Sequence, residues 1–239
     1  EKVLQETHAA IQRNQLSLWL REKQCEIISR ETADFGGSWL QYWQVLPERM
    51  NIVLAVDPVP PPSEKQIKTG LRDKDFEALA VVGEWQGRCY VLETVKNKGH
   101  NPDWTIAEFF RLKAKWRPRL AAVEGVAYQR TLKWLLEQEM QKRREYIQID
   151  CDADRRSKRD RIVQALHGVA ANRMLYCHPS QVDFIEQFSA YPAVQHDDVI
   201  EAVAVATAKA LDMNVIEGDF GIENEEEIPA LPDNWRAAP

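Results

Sequence analysis

Three carboxylates stand where this chain leaves regular structure. NIVLAVDP, residues 51–58, is a short continuous apolar run closed by Asp57 and Pro58, and RPRLAAVEGVA carries a second such run that stops at Glu124 and Gly125. AVQHDDVIEAVAVA, residues 193–206, sets His196, Asp197 and Asp198 ahead of small apolar residues, with Glu201 one turn later. Short apolar runs of this kind read as buried strands, and in an open α/β sheet ligands bind beyond the carboxyl ends of the strands. Each acid also has a plainer reading. A strand-end acid can simply meet water, and Asp198-x-x-Glu201 matches a capping box, whose acids complement the helix dipole. Capping requires neither the second Asp nor His196.

If the three elements meet, Asp57, Glu124 and Asp198 form a site whose mutual repulsion is costly unless a cation neutralises it. Ligands that are all oxygen, with no Cys and no paired His, favour Mg²⁺ or Mn²⁺ over Zn²⁺. Two such ions suit in-line displacement at phosphorus, so the chemistry expected is phosphodiester hydrolysis. A polyanionic substrate fits two basic runs, RLKAKWRPR (111–119) with Lys113 and Lys115, and RRSKRDR (155–161) with Arg155, Arg156, Lys158, Arg159 and Arg161. Basic runs are commonly solvated faces. In the half of the chain that frames the site, they are candidates for phosphate contacts.

The elements that must position these acids follow from periodicity. Val3, Ala10, Leu16, Trp19, Leu20 and Ile27 recur at helical spacing among charges, predicting one or two amphipathic helices. The aromatic connector DFGGSWLQYWQVLPE is expected to pack on the main domain. After the first strand, VPPPSEKQIKTGLRDKD must be a loop, and FEALAVVGEW and RCYVLETVKN form a hairpin through Gln86-Gly87. A helix begins near Asn101 with Pro102 and Asp103 in its first turn. Strands and helices then alternate: RPRLAAVEGVA, YQRTLKWLLEQEMQKRR, YIQIDCD, SKRDRIVQALHGVAA, a short strand at RMLYCHP, a helix at QVDFIEQFSAYP, and the HDDVIEA segment. A meander followed by alternation predicts an α/β mixed sheet covered by helices on both faces.

Composition narrows the classes. A chain of 239 residues can bury a sizeable core, and no apolar run is long enough to span a bilayer. The N-terminus shows no signal peptide, and Glu1 in place of Met suggests an excised piece of a longer chain. Cys25, Cys89, Cys151 and Cys177 are scattered with no C-x-x-C pair, which predicts a reduced, cytosolic protein without a zinc site. From Glu217 onward seven acids face one arginine, so the chain's net charge of −6 resides in that tail and the remainder is neutral. No G-x-x-x-x-G-K-[ST] occurs, so no ATPase motif is present.

The order of acids and elements resembles the nuclease domain of the large terminase subunit of tailed bacteriophages. VLAVDP, AAVEG and HDDVIEAVAVA carry the likeness, and SKRDRIVQAL supports it through a K-x-x-R-I helix before the last acidic motif. The resemblance covers residues 36–212. It implies a ribonuclease-H-like fold with sheet order 3-2-1-4-5 and the third strand antiparallel. It further implies two-metal cleavage of concatemeric double-stranded DNA at the initiation and termination of packaging. The implied partners are the ATPase domain of the same protein, the small terminase subunit and the portal, and the implied location is the host cytoplasm. Asp57 matches the first-strand acid, Glu124 the fourth-strand acid and Asp198 the C-terminal acid. Asp197 and Asp198 point about 100° apart on a helix, and Asp198 is favoured as the ligand. Many relatives read HDDxxDA where this chain has Glu201, which can serve a metal or the cap. The expected division is a helical linker at 1–47 leading out of an absent ATPase domain, a nuclease domain at 48–216 and an acidic, flexible tail at 217–239. Two alternatives stay open: another ribonuclease-H-like nuclease of resolvase or transposase type, and a non-catalytic packaging module whose acids are only caps.

Overall fold

Apolar residues that alternate between two buried faces build a seven-stranded sheet. The computed structural model describes residues 33–59, 76–98, 102–123, 128–151 and 156–218. Its strands are β1 (Gln41–Tyr42), β2 (Asn51–Asp57), β3 (Glu77–Trp85), β4 (Arg88–Asn97), β5 (Leu120–Val123), β6 (Gln148–Asp150) and β7 (Leu175–Cys177). Its helices are α1 (Pro102–Trp116), α2 (Tyr128–Arg143), α3 (Lys158–Ala171), α4 (Val182–Ala190) and α5 (Asp198–Gly218). Strand order is β1-β7-β4-β3-β2-β5-β6, so the five strands from β2 to β6 reproduce the expected order 3-2-1-4-5. One detail needs correction. β3 is antiparallel to both β2 and β4, whereas β5, β6 and β7 join by parallel pairing. The strand that opposes the rest is therefore the second of the core, not the third, because two successive reversals return β4 to the direction of β2.

β2 shows why the central strand reads as a continuous apolar run. Val53 and Ala55 face α3, α4 and α5, while Leu54 and Val56 face α1 and α2. All four are at most 1% exposed, as expected of a strand covered on both sides. On the first face the sheet offers small side chains, Ala55, Ala78, Ala80 and Ala122, to Ala202, Ala206 and Ala210 of α5. Small residues on both sides allow α5 to lie close over β2 and β3. The opposite face is filled by Phe109, Phe110 and Leu112 of α1 and Leu132, Leu136 and Met140 of α2. The β3–β4 hairpin turns at Gln86 (φ 51°) and Gly87 (φ 77°), the left-handed pair that a two-residue turn between twisted strands requires.

The aromatic connector packs on this body. Phe35 stacks on Phe188 at 4.7 Å, the Asp34 N–H donates to the Tyr191 carbonyl at 2.9 Å, and β1 extends the sheet beside β7. Residues 33–47, expected as part of a helical linker, thus add an edge strand and core aromatics. Cys89 and Cys177 stand as buried thiols. Among the described residues, no helix is long and apolar enough to cross a membrane. The helices expected within residues 1–30 and the acidic tail beyond Gly218 lie outside the described residues.

Candidate active site

The pleat of β2 and the start of α5 bring the acids together. Val53 and Ala55 face α5, so Asp57, two residues further along, projects to the same side. Asp198 and Glu201 are buried at 5% and 6% exposure in the first turn of α5. The capping box does not form as the local pattern suggests. The Glu201 N–H donates to the Asp197 carbonyl, so Asp197 is the flanking residue and Asp198 already lies within the helix. The Ile200 N–H is satisfied instead by Gln187 Oε1 of α4 at 2.8 Å. A glutamine from a neighbouring helix thus does the work a cap would do, and Glu201 turns elsewhere. The ring of His196 meets that of Phe76 edge-on at 4.8 Å.

α3 supplies the cations that face these acids. Ser157 caps it, accepting from the Asp160 N–H at 3.2 Å, so Lys158 opens the helix with Arg161 three residues on along the same face. Arg161 donates through one guanidinium nitrogen to Glu201 Oε1 at 2.8 Å. The Lys158 ammonium contacts Glu201 Oε2 and lies 2.7 Å from Asp197 Oδ1. Lys158 and Arg161, expected to meet DNA phosphates, are thereby engaged by carboxylates. Among the described residues, Lys158 faces Asp57, Asp197 and Glu201, Arg161 faces Glu201, and Asp198 stands close enough to Asp57 for their charges to interact.

Desolvation first, and the neighbouring acids second, govern the protonation of Asp57. Burial pushes its carboxyl well above the ordinary carboxylate range, and the charges of Glu201, Asp198 and Asp197 add to the effect, with Lys158 opposing. For Lys158, burial works against the charge, but Glu201 and Asp197 outweigh it and hold the ammonium above its ordinary range. The donors are carboxylate oxygens carrying surplus negative charge, a set that suits a hard divalent cation. Among the described residues, no three His, Cys, Asp or Glu groups stand close enough to hold one ion with their side chains as they are.

The other expected site residues distribute as follows. Val56 and Val123 are paired in register between β2 and β5, and Asp57 and Glu124 are the residues next in sequence. Glu124 and Arg155 lie outside the described residues. Arg159 pairs with Asp34 through two hydrogen bonds of 2.6 and 2.8 Å, tying α3 to the connector. Arg156 lines a cavity of about 370 Å³ between α3 and α5, with Arg161, Glu201, Asp150 and Lys209 also on its wall. Lys113 and Lys115 are not brought to the site. They sit on α1, across the sheet, paired with Glu145 and Glu93 at 3.0 and 2.6 Å. Sequence reasoning missed Gln187, the role of Lys158 among the acids, and the Asp150–Lys209 pair at 2.6 Å beside the cavity. Only Asp150 carried a signal, since it too closes a short apolar strand.

No protein-family model and no curated protein matches this chain. Solved structures do share its fold. The large terminase nuclease of thermophilic phage G20c with bound magnesium is 12% identical with a TM-score of 0.51, covering 74% of this chain and 97% of that one. The human cytomegalovirus terminase nuclease domain, Mn soaked and inhibitor bound, is 14% identical with a TM-score of 0.53, covering 77% and 98%. The HK97 bacteriophage large terminase is 9% identical with a TM-score of 0.53, and the match spans 75% of this chain but 44% of that protein. The fold is that of terminase nuclease domains, a ribonuclease-H-like mixed sheet between helices.

Proposed function

We propose that this chain is a metal-dependent endonuclease that cuts double-stranded concatemeric DNA at the start and end of viral genome packaging. In this reading Asp57, Glu124 and Asp198 hold Mg²⁺ or Mn²⁺, two ions per site. One observation carries the proposal: Asp57 at the carboxyl end of the central strand shares one electrostatic cluster with Asp197, Asp198 and Glu201 of α5. It is supported by a fold like that of terminase nuclease domains, one with bound magnesium and another Mn soaked. When bound, the ions supply Lewis acidity that neutralises charge at the attacking and leaving oxygens of the phosphodiester.

The chain's own residues set the frame for that chemistry. Asp57 is fixed by the register of β2 against β3 and β5, and Asp198 by the seating of α5 on the sheet. Glu201, anchored by Arg161 at one oxygen, orients the acidic turn and is a supporting residue whose second oxygen faces Lys158. Arg156, beside the cluster on the cavity wall, is the described cation we assign to backbone phosphate, together with Arg155. By the same reading, the ATPase domain of a longer chain, the small terminase subunit and the portal are its partners.

A plasmid-cleavage assay tests this. Mg²⁺- or Mn²⁺-dependent cutting should vanish with EDTA and in Asp57→Ala, with the circular dichroism spectrum unchanged. Full activity in Asp57→Ala, or no cutting with any divalent ion, rejects the proposal.

A further inference from the structure

Glu201 is held by two cations of different kinds. Arg161 takes Oε1 at 2.8 Å through a planar, rigid fork, while Lys158 takes Oε2 and also reaches Asp197 Oδ1 at 2.7 Å. A lysine ammonium is a compact point charge on a flexible four-carbon stem, and it can leave a contact without any backbone movement. The Lys158 side chain is 38% exposed against 8% for Glu201, so the ammonium borders solvent while its partner does not. We propose that Lys158 is a displaceable counter-ion: its ammonium neutralises Asp197 and Glu201 in the metal-free protein and swings to solvent when a divalent cation enters, while Arg161 keeps Glu201 in place.

The inference rests on the metal-centre reading above and explains how such a centre persists before metal arrives. Asp197 and Glu201, with Asp57 and Asp198 beside them, are acids that repel one another at a partly buried turn, and an internal cation that the protein carries with it keeps them assembled. That cation and a divalent ion compete for the same oxygens, because like charges a few ångströms apart repel strongly where water is scarce. It also gives Glu201 a role that neither a cap nor a plain ligand provides, with Oε1 committed to Arg161 and Oε2 released on exchange. With the ammonium seated nine times in ten, the apparent metal affinity is about tenfold weaker than that of the emptied site.

The test follows Lys158 and the metal separately, on the whole chain. Calorimetric titration with MnCl₂ should show binding to the wild type, about tenfold tighter binding to Lys158→Gln, and binding no tighter than wild type for Lys158→Arg, whose rigid fork keeps the charge on the carboxylates. Lys142→Gln, a remote surface change of equal charge, should leave the affinity unaltered. In the wild type, Mn²⁺ should raise the acetylation rate of Lys158 by an amine-selective reagent, read by mass spectrometry against Lys142, a measurement independent of how any variant folds. Mn²⁺ binding with unchanged or slower acetylation of Lys158, or with equal or weaker affinity in Lys158→Gln, overturns the counter-ion and leaves the metal centre standing. Absence of Mn²⁺ binding in every variant overturns both.

Discussion

Replacing Asp57 by Asn should make the metal-free protein more stable while removing its response to metal. The carboxyl is half-buried and faces three like charges with Lys158 as the opposing one, so its ionised form is disfavoured in the folded state. A carboxyl that ordinarily titrates near 3.8 takes up a proton rather than bear an unlimited cost, which caps the penalty at pH 7 at about 4 kcal/mol. Lys158 offsets part of that, so the asparagine should gain about 1–3 kcal/mol, or about 2–10 °C in Tm for a chain of this size. With Mn²⁺ at a hundred times its dissociation constant, the wild type should gain about 2.7 kcal/mol, and the variant little. Melting curves in EDTA and in MnCl₂ measure both effects. If Asp57→Asn melts below the wild type in EDTA, the carboxylate is not under net repulsion. If Mn²⁺ stabilises both proteins equally, Asp57 is not a ligand.

Three other expectations follow from particular contacts. Gln187→Ala should cost about 1–3 kcal/mol by stranding the Ile200 N–H at the start of α5, measurable by urea unfolding; a loss under about 0.5 kcal/mol would mean that the N–H finds another acceptor. Glu77 is 1% exposed on the far face of the sheet, and burial pushes its carboxyl up to about 7 despite a hydrogen bond from Thr105 at 2.7 Å. A raised acid is protonated more readily folded than unfolded, so its cost appears as pH climbs through that range. Glu77→Gln should therefore match the wild type below about pH 4.5 and exceed it by about 1–2 kcal/mol at pH 8. A gap that widens toward acid would contradict the sign. For DNA affinity, Arg156→Ala should flatten the dependence on log salt concentration by about one unit, while Lys113→Ala, across the sheet, should leave it unchanged; equal effects would place the DNA elsewhere.

Asp57 was legible because β2 announces its own end, an apolar run cut off by an acid and a proline, and because parallel neighbours bring strand ends to one edge. The helices on both faces followed from the alternation of elements, whereas the sheet order came with the family resemblance. What escaped was carried by contacts distant in sequence. Asp198-x-x-Glu201 fits a local cap, but the Ile200 N–H finds Gln187, thirteen residues upstream, only once α4 packs beside α5. The run at 155–161 declares its sign and not its partners. Arg159 meets Asp34 across 125 residues and Arg161 meets Glu201 across 40, partners that charge counting along the chain does not name. Lys113 and Lys115 lie across the sheet from the acids, which a linear run could not foretell, since it does not say which face of the sheet its helix covers.

Anomalous diffraction from a crystal soaked in MnCl₂ tests the central claim most directly. A manganese peak coordinated by Asp57 and Asp198 is expected, with Glu124 completing the carboxylate set and Lys158 withdrawn from Asp197. A peak elsewhere, or Mn²⁺ absent while Lys158 remains seated at high metal concentration, would contradict it.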